Sequence, residues 1–338
     1  MTSFQSKVKS GLLSGIQKGW GGFVWIMKIL VPISFFTMLL TYSGWMSRID
    51  FLLEPVMGFI GLPSIAALPL IAGILTGIYG GVAAMIMLPL SMDHKILIAV
   101  FLLISHNIIQ ESIVQGKSGF NPLKAAIFRL ITSVAAVAIL ARFIGSEATV
   151  TVTEGVSLSN AAPFMLTLKI WCMETLRLSV KIFVIIMTLM MVLGLMKSFD
   201  AIHHIVRPLT PVLKIMGLNR RVGILWLTAN IFGISYGAAV IVEEAKEGNL
   251  TDEELTKLHL SIGINHAMIE DPALFLPLGI SPIWLWIPRI VTAIAAVHLF
   301  SLWRWITRQS GANDTQQLSP IFTRRRAGRR TIRFDDTA

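Results

Sequence analysis

Two short stretches carry the residues best suited to chemistry: His106, Asn107, Gln110 and Glu111 in one, and Asn265, His266, Glu270 and Asp271 in the other. Both sit in apolar surroundings, where an ionisable group is costly and usually faces a cavity or a partner. Histidine exchanges its proton near neutral pH, and a neighbouring carboxylate can hold or relay that proton. His266 and Glu270 are four residues apart, so one continuous helix would put them on a common face, and His259 extends that stripe. The expected chemistry is binding of a cation, or coupling of protons to a solute, at one central site shared by the two stretches. Imidazole with carboxylates suits several transition metals and selects none, which makes His106, His266 and Glu270 the candidate metal ligands. The competing reading is solvation: Pro272 follows Asp271 at once and Gln115 closely follows Glu111, so both acids would lie at span ends.

The elements that must position these residues are apolar helices. Apolar residues make up 54% of the chain and charged residues 14%, too small a polar coat for a soluble protein of 338 residues. The runs 23–42, 96–109, 125–144, 180–196 and 283–300 can be tested against the roughly 20 residues needed to cross a bilayer. Apolar runs recur to the end of the chain, which excludes a single signal peptide before a soluble domain. The fold class expected is an all-α integral membrane protein. The formal charge of +10 gathers in Arg324, Arg325, Arg326, Arg329, Arg330 and Arg333 and in Lys7, Lys9 and Lys18. Basic residues flanking apolar spans mark cytoplasmic segments that favour anionic lipid, not nucleic acid. The single Cys172 excludes a disulfide within the chain, and no cofactor is expected.

The chain also duplicates itself. A shift of 160 positions aligns His106 with His266, Glu111 with Asp271, Gly119 with Gly279, Pro122 with Pro282 and Arg129 with Arg289, without a gap. With small gaps, Gly61-Leu62 pairs with Gly217-Leu218, and the glycine-broken stretch from Gly77 pairs with that from Gly233. The segment 145–163 has no Lys or Arg and reads as non-cytoplasmic, whereas 197–221 is basic and reads as cytoplasmic. The stretch 64–90 would reach roughly 40 Å as one straight helix. Folded back at its glycines as a re-entrant hairpin, it satisfies every charge assignment. Each half then holds about three spans and one hairpin, and the second half is inverted. The expected organisation is an interfacial segment 1–19, a first repeat 20–144, a loop 145–162, a second repeat 163–305 and a disordered cytoplasmic tail 306–338. Localisation follows as the cell (inner) membrane, with both termini inside.

Paired interrupted segments in inverted halves point to a transport site near the midplane. Half-helix N-termini suit an anionic group and C-terminal carbonyls a cation. Asn230, Ser235 and Tyr236, with Thr76 and Tyr79 opposite, can add hydrogen bonds to a solute. Arg129 and Arg289 are expected to snorkel to opposite interfaces.

The two hairpins, of which Asn230-Ile231-Phe232-Gly233-Ile234-Ser235-Tyr236-Gly237 is the clearer, are each followed by a span with His and an acid. This pattern resembles the Gate or nucleoside recognition domain of concentrative nucleoside transporters and ferrous-iron transporters. It is most similar to stand-alone members resembling spore maturation proteins A and B fused into one chain. No GxxxxGK[ST] segment occurs, so the GTPase module of the iron transporters is absent from these residues. HExxH and GxSxG are also absent, and no enzyme activity is expected. The resemblance implies a secondary transporter moving a small polar solute, with nucleosides as one candidate class, by proton or cation coupling. Alternatives are a divalent-metal transporter and a non-transporting component that handles lipid or envelope assembly. Partners expected are anionic lipid and the small solute or ion, and a homo-oligomer is compatible with the sequence.

Overall fold

The computed structural model describes residues 2–44, 53–145, 163–199, 210–233, 241–242, 244 and 250–316. Met1–His298 form one compact unit and Leu299–Ala338 a second. The described residues are helical or in turns, with no strand among them. In chain order the helices are α1 (Thr2–Tyr42), α2 (Leu53–Phe59), α3 (Ala67–Thr76), α4 (Ile78–Ile86), α5 (Met92–Ser105), α6 (Ile108–Lys117) and α7 (Pro122–Ile144). They continue with α8 (Phe164–Ser198), α9 (Thr210–Ile215), α10 (Arg220–Phe232), α11 (Asp252–Asn265), α12 (Glu270–Ala273) and α13 (Pro282–Gln316).

Among the described residues, five helical stretches are long and apolar enough to cross a membrane: Phe4–Tyr42, Met92–Lys117, Pro122–Ile144, Phe164–Met196 and Pro282–Thr307. The most apolar window of Met92–Lys117 is 78% buried, whereas those of the other four are 22–33% buried. The first is therefore the most enclosed of the five. Their outer faces present Ile131, Ile139, Val180, Val184, Ile287 and Val291. Apolar faces of that extent belong against lipid. In the second unit, Leu302, Trp303, Trp305 and Ile306 are likewise exposed.

The longest helices pair along their length. Phe4 meets Phe199, Phe23 meets Phe183 and Tyr42 meets Phe164, so α1 and α8 run antiparallel. Small residues let the backbones touch: a Cβ at Gly15 would lie 2.6 Å from the Met190 carbonyl oxygen. Helix α1 has no break at residue 19, where a separate interfacial segment was expected, because this packing continues through Gly11 and Gly15. Likewise α13 runs on to Gln316, past the expected start of the tail at 306.

The glycine-broken stretch of the first half is a hairpin. Helices α3 and α4 meet at Gly77 (φ 91°, ψ 177°), a conformation open essentially to glycine alone. A Cβ on Gly80 would meet the Ala72 carbonyl, and one on Gly81 the Pro69 carbonyl, so the arms lie side by side. In the second half α10 ends at Gly233 with nearly the same dihedrals, φ 85° and ψ 167°. The following residues, Ser235 and Tyr236 included, lie outside the described residues.

The same local devices recur through both halves. Gly61 and Gly217 both have φ 70°, and Gly119 and Gly279 are both left-handed. Leu62 N–H donates to Met57 O as Leu218 N–H donates to Leu213 O. The starts of α5, α7, α10 and α11 are capped by Ser91, Asn121, Asn219 and Thr251, each accepting from a backbone N–H three residues on. Thr251 and Glu254 form the expected capping box. Helix α11 matches α5 but is only 14 residues long and opens on the acids Asp252, Glu253 and Glu254, whereas α5 continues with α6 into a 26-residue apolar stretch.

Candidate functional site

Two breaks in the helices build the site. Helix α5 stops at Ser105 and α11 at Asn265, and His106 and His266 take the C-cap positions with φ/ψ of −64°/155° and −64°/157°. The next residues, Asn107 (φ 48°) and Ala267 (φ 46°), are the non-glycine residues with positive φ among those described. Their backbone N–H groups are tied to the hairpin arms: Asn107 donates to Gly73 O (2.9 Å), Ala267 to Ala229 O (3.2 Å) and Met268 to Asn230 O (2.7 Å). Irregular backbone inside a membrane needs partners of this kind.

Each break is capped by an arginine. Arg129 of α7 donates to Ile104 O (2.8 Å) and His106 O (3.0 Å). Arg289 of α13 donates to Ile264 O (2.9 Å) and His266 O (2.7 Å). A guanidinium at a helix C-terminus satisfies orphan carbonyls and complements the helix dipole. Both arginines have no exposed surface, which overturns the expectation that they snorkel. The broken helix ends supply acceptors nearer than either interface.

The histidines then point inward. His106 Nδ1 lies 2.8 Å from Leu102 O and His266 Nδ1 lies 3.0 Å from Ile262 O. A carbonyl only accepts, so each Nδ1 carries a hydrogen and each Nε2 is the nitrogen left to face the cavity. Both Nε2 atoms face carboxylates. His106 Nε2 is 3.1 Å from Glu111 Oε1 and 3.6 Å from Asp271 Oδ2. His266 Nε2 is 3.1 Å from Glu111 Oε2 and 4.0 Å from Asp271 Oδ2. Glu111 Oε2 is also ion-paired with Arg129, 2.7 Å from its Nη2. The two rings are 5.1 Å apart between centroids.

These groups line a cavity of about 280 Å³, together with Trp25, Thr76, Gly77, Tyr79, Gly233 and Glu270. The tips of both glycine breaks and both helix breaks thus open on one space. Tyr79 donates to Glu270 Oε1 (3.2 Å), joining the first hairpin to the second half.

Of the residues singled out in sequence, His106, Glu111, His266 and Asp271 are brought together and buried. Asn107, Gln110 and Glu270 line the same cavity, and Asn107 Nδ2 donates to Gln110 Oε1 (3.1 Å). Asn230 lies in α10, with its amide donating to Trp226 O (2.7 Å). Asn265 is wholly buried, and neither polar atom of its side chain has a hydrogen-bond partner among the described residues. His266 and Glu270 do not share a continuous helix face, because α11 ends between them. As a result Asp271, and not Glu270, stands beside the histidines. His259 is elsewhere: its Nε2 donates to Ser118 O (3.1 Å) and its ring stacks on Phe120. The capping role of the arginines was missed in sequence. Its signal was their equal offset of 23 residues from the two histidines.

Apolar outer faces, five membrane-length stretches and no described strand define a multi-pass, all-α integral membrane protein. Residues 23–147 match the family model described as Gate, nucleoside recognition. Over 302 residues, 87% of this chain and 95% of the relative's, the chain is 28% identical to the uncharacterized membrane protein YvoD of Bacillus subtilis (strain 168). No solved structure matches the chain.

Proposed function

We propose that this protein is a secondary transporter, moving a small polar solute through the cavity between its two halves with proton or cation coupling. The observation that carries this reading is the cavity itself: buried His106, Glu111, His266 and Asp271 converge where the first hairpin's break at Gly77, the end of α10 at Gly233 and two broken spans meet. Interrupted helices at such a junction are how transporters expose backbone groups to a solute. At about 280 Å³ the space is near the lower end of ligand pockets, roughly 300 Å³, which favours a small solute. The match of residues 23–147 to the Gate, nucleoside recognition family makes a nucleoside the first solute to try. The antiparallel course of α1 and α8 supports inverted halves, since these are the first spans of the two repeats. With basic ends, the termini are placed on the cytoplasmic side of the cell membrane, next to anionic lipid.

The test is uptake of tritiated uridine and adenosine by proteoliposomes under an imposed pH or sodium gradient. Gradient-driven uptake by the native chain, abolished in the His106→Ala/His266→Ala double variant, is the expected result. Undiminished uptake in that double variant would refute this reading of the site.

A further inference from the structure

The facing of the two histidines leaves an excess of acceptors. Among the described residues, His266 Nε2 and Asp271 Oδ2 are buried without a hydrogen-bond partner, and both Nε2 atoms point at carboxylate oxygens. A ring nitrogen 3.1 Å from a carboxylate oxygen calls for positive charge on or beside the pair, supplied by a proton or by a bound cation. We infer that His106, His266 and Asp271 hold one divalent transition-metal ion, with Glu111 completing the donor set. This deepens the transport reading by naming the cation of the site, and rests on that reading only for its place in a transport cycle.

The geometry suits such an ion. Ligand atoms around a metal at 2.0–2.2 Å lie at most about 4.2 Å from one another. The distances from the two histidine Nε2 atoms to the oxygens of Glu111 and Asp271 run from 3.1 to 4.0 Å. One ligand atom from each of His106, His266 and Asp271 falls within 4.8 Å of the others. Metal-bound histidines characteristically donate their second ring N–H to a carbonyl or carboxylate, and Leu102 O and Ile262 O already play that part. Glu111 is held in place by Arg129 through Oε2, leaving Oε1 turned to His106. The charges agree as well: Glu111, Glu270 and Asp271 face the cavity against the capping guanidiniums of Arg129 and Arg289, an excess of one negative charge. Two imidazoles with a carboxylate suit manganese, iron, cobalt, nickel or zinc better than calcium or magnesium. With four protein donors, an ion that takes five or six ligands keeps a position that an oxygen of the solute can fill from the cavity.

The experiment uses the purified full chain, stripped with a chelator and titrated with Co²⁺ and Zn²⁺. The expected result is one ion per chain, with the visible absorption of Co²⁺ bound by nitrogen and oxygen ligands. His106→Ala, His266→Ala and Asp271→Asn should each weaken binding at least about tenfold, while His298→Ala, far in sequence from either break, leaves it unchanged. No bound ion on the native chain, or equal affinity in the three site variants, would overturn the inference. The native Co²⁺ spectrum decides this even if one variant fails to fold. Uridine uptake in the same preparation separates the two readings. Uptake without any metal binding removes the ion and leaves the transporter, whereas metal binding without uptake does the reverse.

Discussion

Replacing the two arginines in turn by methionine isolates one interaction, because their surroundings are otherwise matched. Arg129 and Arg289 are equally buried, and each donates to the same pair of carbonyls at a broken helix end. Losing two hydrogen bonds from a charged donor costs about 1.5–3 kcal/mol each, offset in part by no longer burying a guanidinium. Those terms are common to both variants and cancel in the difference. What remains is the ion pair of Arg129 with Glu111 at 2.7 Å, which has no counterpart within 4.0 Å of Arg289 among the described residues. Removing one partner of a buried pair costs about 3–5 kcal/mol, because the other charge is left behind. Arg129→Met should therefore destabilise by about 3 kcal/mol more than Arg289→Met. Reversible unfolding of both variants in mixed micelles, titrated with a denaturing detergent and followed by circular dichroism, reads this difference. Adding Glu111→Gln to Arg129→Met should restore about 2 kcal/mol, the mark of a relieved unpaired charge. Equal losses in the two single variants, or no recovery in the double variant, would refute the capping and pairing described here.

Gly233→Ala tests the helix break without a steric confound, since a Cβ there meets nothing within 4 Å while φ is 85°. A loss of about 1–3 kcal/mol in the same unfolding assay is expected. Gly58→Ala, with equally open space and no positive φ, should be neutral or slightly stabilising. For the hairpin, single cysteines replacing Ser64 and Ser91 in a Cys172→Ser background should label with an impermeant maleimide from the same side of the membrane. Labelling from opposite sides would mean that 64–90 crosses the bilayer.

Much of this architecture was legible because its carriers are residue types with few other uses. Glycines that break helices, a histidine with an acid five residues on and an arginine 23 residues on recur in both halves, and each marks a fixed backbone event. Composition and run length gave the spans, since lipid leaves so few alternatives to the helix. The local register was less legible. Nothing in the order of residues says that α11 stops at Asn265, because the break depends on Ala267 adopting φ 46° and bonding to Ala229, a contact between distant parts of the chain. That single turn moves Glu270 off the histidine face and brings Asp271 onto it. Arg129 and Arg289 were misplaced for a related reason: an arginine early in a span ordinarily reaches for water, and only the fold reveals acceptors closer by.

A transporter must open its site to each side of the membrane in turn, and Gln110 on the cavity wall is the place to observe this. A Gln110→Cys substitution in the Cys172→Ser background, in right-side-out and inside-out vesicles, can be reacted with an impermeant maleimide. The account predicts labelling from both faces, slowed in each case by the transported solute. Labelling from one face only, with or without solute, would contradict alternating access through this cavity.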